Sequence, residues 1–118
     1  MIPALACFLM PLAGPCTQYV RNAPRIADVA AHRAQYAGTS MSVTGRVRGL
    51  ERRRSKKGLL YEVFSLCDSD CIQVYIAAQP PIHNQQLVTV RGTYYETFRL
   101  LRWTYFNEVE ATEVLPRE

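Results

Sequence analysis

The sequence predicts a mainly β fold: five strands rolled into a small barrel, with one short helix ahead of them. Three observations carry this expectation. Apolar and polar residues alternate with period two in five separate stretches, as half-buried strands require. The chain holds seven Tyr, four Phe and one Trp, a composition that favours extended structure where helical patterns are few. Gly45 and Gly49 interrupt the first stretch, where a curling sheet needs bends. With 118 residues the chain makes one domain, large enough to fold without a metal or a disulfide.

The first sixteen residues differ from the rest. Met1 to Cys16 carries no charge and three prolines, Pro3, Pro11 and Pro15. Residues 1–20 therefore read as an apolar leader of signal or lipoprotein type, and 21–118 as the folded domain. Two features depart from a standard leader. No basic residue precedes the apolar run, and Pro15 stands between Gly14 and Cys16. The competing reading is an N-terminal strand or coil packed on the domain. No apolar run is long enough to predict a transmembrane helix.

Residues 25 to 37 predict a single helix. Ile26, Val29, Ala30, Arg33 and Ala37 approximate helical spacing, Pro24 suits its start, Asp28 suits its first turn, and Gly38 ends it. Strands follow at Met41–Leu50, Leu59–Cys67, Ile72–Ala77, Leu87–Tyr95 and Tyr105–Leu115. Asp68-Ser69-Asp70 is a hairpin loop of turn-forming residues. The apolar phase of the fifth strand slips at Thr112, which predicts a bulge or a strand end there. An open five-stranded sheet would leave two edges with little protection, so closure is expected.

Val43-Thr44-Gly45-Arg46-Val47, Phe64-Ser65-Leu66-Cys67-Asp68, Ile72-Gln73-Val74 and Val88-Thr89-Val90-Arg91-Gly92, in that order and spacing, resemble the oligonucleotide/oligosaccharide-binding (OB) fold superfamily of nucleic-acid-binding domains. The pattern is most similar to bacterial single-domain OB proteins related to the anticodon-binding domain of aminoacyl-tRNA synthetases. The ending Phe106-Asn107-Glu108-Val109-Glu110-Ala111 resembles the last strand of that group. The chain also resembles small exported bacterial proteins in which a short helix precedes an OB barrel. An SH3-like barrel is the alternative architecture. Two departures stand out. Pro80-Pro81 forbids the helix that many OB folds insert between strands three and four, so the helix at 25 to 37 is expected to plug the barrel instead. A Cys pair also occupies the hairpin between strands two and three.

Charge is concentrated. Residues 46–57 hold seven of the 14 basic residues and only one of the 10 acidic ones, so the remainder of the chain carries 7 basic and 9 acidic residues. In an OB fold the outer face of strands two and three binds the ligand, flanked by the 1–2 and 4–5 connections. Here the first is the basic run Glu51–Gly58 and the second Glu96–Thr104, with Arg99, Arg102 and Trp103. If Phe64, Leu66, Val74 and Ile76 point inward, then Tyr61, Val63, Gln73 and Tyr75 line the outer face. Single strands are bound by aromatic platforms beside a basic groove. Arg46, Arg48, Arg52, Arg53, Arg54, Lys56, Lys57, Arg99 and Arg102 are accordingly expected to engage phosphates, and Tyr61, Tyr75 and Trp103 to stack on bases. Against this stand plainer roles. The run Arg52 to Lys57 also suits a solvated loop tip, the tyrosines suit half-buried strand positions, and Trp103 suits a cap over the barrel mouth.

Cys67 and Cys71 flank a three-residue loop and face each other at a separation that a disulfide spans. Two free thiols, or a metal site completed by His83, are the other readings; the metal pattern is weak. Neither a triad nor a phosphate loop is visible, so no catalytic residue, cofactor or metal is expected. Two function classes remain. One is a non-enzymatic OB module binding single-stranded DNA or RNA. The other is an exported or lipid-anchored OB domain binding a protein, a glycan or an anionic surface. The leader and the Cys pair lean toward an exported, periplasmic or membrane-anchored location over a cytoplasmic one.

Overall fold

The computed structural model describes residues 23–100 and 102–118, without the side chains of Phe98, Leu100, Trp103, Tyr105 and Phe106. The expected leader at 1–20 lies outside the described residues. Two short helices, α1 (Ile26–Ala31) and α2 (Arg33–Tyr36), precede five strands: β1 (Ser40–Arg54), β2 (Leu60–Cys67), β3 (Cys71–Ile76), β4 (Leu87–Leu100) and β5 (Trp103–Pro116). The strands close into a barrel in the order β1-β2-β3-β5-β4, with β3 and β5 parallel and every other pair antiparallel.

The core follows from the alternation. Val43 and Val47 of β1, Phe64 and Leu66 of β2, Ile72 and Val74 of β3, Val88, Val90 and Tyr94 of β4 and Val109 of β5 all point inward and are buried. The helix expected over 25 to 37 is instead two, parted at His32, whose backbone (φ −137°, ψ 49°) leaves the helical region. The break lets α1 bury Ile26 and Val29 while Tyr36 of α2 packs on the core from a separate approach. Asp68 of the β2–β3 loop accepts the Ile26 N–H through Oδ2 at 3.0 Å, fastening α1 over that end of the barrel. A Cβ on Gly45 would meet the Cys67 carbonyl oxygen at 2.7 Å and Ile26 Cδ1 at 2.9 Å, so only glycine permits this approach.

The other end is closed by the β3–β4 connection, which holds no helix. Its Ile82 is buried. Ile82 also accepts a hydrogen bond from Arg52 Nη2 through its carbonyl (2.7 Å), while Arg52 Nε reaches Glu62 at 2.8 Å. Glu62 is fully buried; burial pushes its carboxyl up and Arg52 pulls it down, with burial the larger effect.

Three predicted boundaries move. β1 continues to Arg54 because residues 51–54 pair with 60–63 of β2, so the basic run is mostly strand and the connection shrinks to 55–59. β4 and β5 extend past the expected Tyr95 and Tyr105 as a two-stranded hairpin. The connection expected over 96–104 is therefore only 101–102. The bulge at Thr112 is present: Arg91 pairs with Glu113 and Gly92 with Ala111, leaving Thr112 unmatched.

Candidate functional site

A second bulge, in β1, decides which basic residues share a face. Arg48 pairs with Ser65 and Glu51 with Val63, so β1 carries one residue too many across this step. Gly49 absorbs it with φ 62°, a conformation that costs other residues strain. The extra residue inverts the alternation. Arg46 and Arg48 face outward before it; Glu51 and Arg53 face outward after it. Arg52 falls on the side of buried Glu62, and Arg54 shares its parity.

The outer face then reads in rows across the strands. One row runs Arg48, Ser65, Gln73, Glu108, Tyr95 over β1, β2, β3, β5 and β4. The next runs Glu51, Val63, Tyr75, Glu110, Thr93. Tyr61 lies one row further, opposite Arg53. The rings of Tyr61 and Tyr75 meet with centroids 5.5 Å apart at 41°, a tilted aromatic pair. Gln73 Nε2 donates to Ser65 Oγ at 2.9 Å across the strands.

Both hairpin tips border this face, at opposite ends. Glu62 pairs with Ile76, so the 55–59 tip projects past the C-terminal end of β3. Gln73 pairs with Glu108, and Asn107 Nδ2 donates to the Cys71 carbonyl at 3.2 Å, so the 101–102 tip projects past the N-terminal end. A chain laid across β2, β3 and β5 would pass between the two.

The predicted cations differ in their commitments. Arg48, Lys56 and Lys57 are exposed and form no ion pair among the described residues. Arg99 and Arg102 are exposed on the second hairpin. Arg53 is bound by Glu51, which holds its guanidinium above the usual value, with Tyr61 adding to the effect. Arg46 donates to Glu118 (2.6 Å) and the Gln85 carbonyl (3.1 Å), and the first of these holds the Glu118 carboxyl below its usual value. Arg54 reaches only the Gly58 carbonyl, at 3.4 Å. The Trp103 side chain lies outside the described part.

Two acids on this face were absent from the sequence expectation. Glu108 is 2 % exposed, its Oε2 has no hydrogen-bond partner, and burial, with Glu110 contributing, pushes its pKa up to about 7. Tyr75 is raised as well, first by burial and then by Glu110, Tyr61 and Glu108. Period-two alternation about buried Val109 turns Glu108 and Glu110 outward together.

Cys67 and Cys71 pair across the β2–β3 hairpin as a disulfide, with Cα atoms 4.1 Å apart. Among the described residues no group of three His, Cys, Asp or Glu side chains is placed to hold a metal. No helix there is long and apolar enough to cross a membrane.

No protein-family model and no curated protein sequence matches the chain. Solved structures do. A protein from Leishmania major Friedlin assigned as an aspartyl-tRNA synthetase matches with a TM-score of 0.57 and 16 % identity, over 80 % of this chain and 20 % of that one. The chain thus spans one fifth of the synthetase. Rim1, a mitochondrial single-stranded DNA binding protein of S. cerevisiae, matches with a TM-score of 0.52 and 13 % identity, over 69 % of this chain and 97 % of that one. The barrel order and these likenesses establish the OB fold over the SH3-like alternative.

Proposed function

We propose that this domain is a non-enzymatic OB module that binds single-stranded nucleic acid across the outer face of β2, β3 and β5. The observation that carries the reading is the Tyr61–Tyr75 pair, half-buried on the outer face between two hairpins whose tips carry Lys56, Lys57 and Arg102. Tyrosine rings offer every base a stacking surface, and flanking cations take the phosphates without reading sequence. Arg48, Arg53 and Arg99 add to the positive rim, while Arg52 serves the barrel end with Glu62. The likeness to Rim1 and to the synthetase supports a nucleic-acid ligand for this face. The Cys67–Cys71 pairing supports work in an oxidising compartment, consistent with export.

Titration of a labelled single-stranded oligonucleotide at several salt concentrations tests the reading. With four phosphates neutralised, affinity falls ~50-fold between 50 and 200 mM salt. Tyr75→Ala weakens binding by about 1–3 kcal/mol if one base stacks there. Salt-independent binding, or an unchanged affinity in both Tyr61→Ala and Tyr75→Ala, overturns it.

A further inference from the structure

The seam between β1 and β4 lies across the barrel from β3, away from the face described above. A cavity of about 240 Å³ opens there, between the seam and the chain entering α1. Ser42, Thr44 and Thr89 line it together with Arg25, Arg91 and Arg117, the Ser42 hydroxyl lying buried beneath the surface.

The polar groups of this lining are donors in surplus. Ser42 Oγ is buried and has no hydrogen-bond partner. Thr44 and Thr89 share one hydrogen bond of 2.7 Å, which uses one of their two hydroxyl hydrogens and leaves the other to donate. Arg117 forms no ion pair among the described residues. Arg91 meets Glu113 at 3.4 Å, and Arg25 meets Asp28 at 3.4 and 3.5 Å, in half-open or exposed settings. Asp68 is the one acid in the lining, and its oxygens already accept the N–H groups of Ile26 and Asp70. Three guanidinium groups thus line the cavity beside one acid, and Arg117 is the one of the three that forms no ion pair among the described residues.

We propose that this cavity binds a phosphate group. Unsatisfied hydroxyl donors beneath a guanidinium rim suit a compact oxyanion with several acceptor oxygens. Its volume falls below the ~300–1,000 Å³ of pockets that enclose whole small-molecule ligands, so it accommodates a charged group and not the body of a larger ligand. Free inorganic phosphate and the terminal phosphate of a nucleotide or strand share this chemistry. The site is independent of the Tyr61–Tyr75 face and stands or falls without it.

The test is a titration of the full chain with inorganic phosphate against chloride at constant ionic strength, followed by amide NMR shifts. Phosphate should give saturable shifts at Ser42, Thr89 and Arg117 that chloride does not. Arg117→Gln should weaken binding about tenfold, and Ser42→Ala about threefold, the second serving if the first misfolds. Arg48→Gln, further along β1 and outside the cavity lining, should leave phosphate affinity unchanged while lowering affinity for an unphosphorylated oligonucleotide. Parallel titrations with oligonucleotides carrying and lacking a 5′-phosphate separate the sources. Seam shifts specific to the phosphorylated strand assign a strand end, and shifts with inorganic phosphate alone assign a free anion. Absence of saturation at the seam, equal response to chloride, or full affinity in both Arg117→Gln and Ser42→Ala overturns the proposal.

Discussion

Replacing Glu108 by Gln should remove a pH dependence from the stability of this barrel. Glu108 sits on the outer face of β5 but is shielded from water, with Gln73 of β3 and Tyr95 of β4 as its row neighbours and Glu110 two positions along. An ordinary glutamate ionises near 4.5, and this one near 7. Below 4.5 both folded and unfolded chains carry the proton, and stability is at its full value. Between 4.5 and 7 the unfolded chain ionises while the folded chain does not, so stability falls as pH rises. Each pH unit in that window is worth ~1.36 kcal/mol, and the loss is at most about 3 kcal/mol by neutral pH. Urea unfolding at intervals from pH 4.5 to 8 measures it. The parent chain should lose stability through this range, and Glu108→Gln, which cannot ionise, should lose much less. Glu62 is raised in the same direction, so the variant, and not the parent slope alone, isolates Glu108. A Glu108→Gln slope equal to the parent's, or a Glu108 carboxyl that titrates by NMR near 4.5, would refute the reasoning.

Three further outcomes follow from the packing. Gly92→Ala should unfold the chain or cost several kcal/mol, because a Cβ there collides with the backbone of Glu110 and Ala111 across the β4–β5 bulge; circular dichroism melting reads it. Removing the Cys67–Cys71 disulfide by a Cys67→Ser, Cys71→Ser double substitution should cost about 2 kcal/mol from the short loop it constrains, read as a lower urea midpoint. Tyr94→Phe should cost about 1 kcal/mol, because the Tyr94 hydroxyl donates to Asn107 Oδ1 at 2.6 Å and Asn107 holds φ 59°; the same melt would show no change if that bond were idle.

Much of the barrel was legible because period-two alternation survives wherever one face is buried. Inward Phe64, Leu66, Val74 and Ile76 were readable from spacing alone, and the slip at Thr112 marked its bulge. The long β4–β5 hairpin was not legible. Its connection, Leu101-Arg102, contains none of the Gly, Asn or Asp residues that announce a two-residue turn. The broken helix was missed for a related reason. Nothing in Ala31-His32-Arg33 forbids helix, and the break is set by where Tyr36 must pack.

The basic run shows why a charge cluster in sequence is not a charge cluster in space. Arg52, Arg53 and Arg54 are consecutive, so on a strand they alternate between faces whatever else happens. Which face receives which residue depends on counting from Arg46 and Arg48, and a single bulge changes the count. Gly49 was visible as a bend, but a bend with no added residue would have kept Arg52 beside Arg48 and turned Arg53 away. The bulge does the reverse: it aligns Arg53 with Tyr61 and delivers Arg52 to Glu62, where a guanidinium is needed to offset a buried carboxylate. Arg52 therefore supports the barrel end, and the cations left for a ligand are those on the outer row and the hairpin tips. The same one-residue logic runs in the acidic direction. Once Val109 is inward, Glu108 and Glu110 must share the face with Tyr75, so the centre joins aromatic rings to two carboxyl side chains and the basic residues stand at the rim. On the proposed reading, a single strand would cross with its bases over the tyrosines and its phosphates at the rim, away from the two carboxyls.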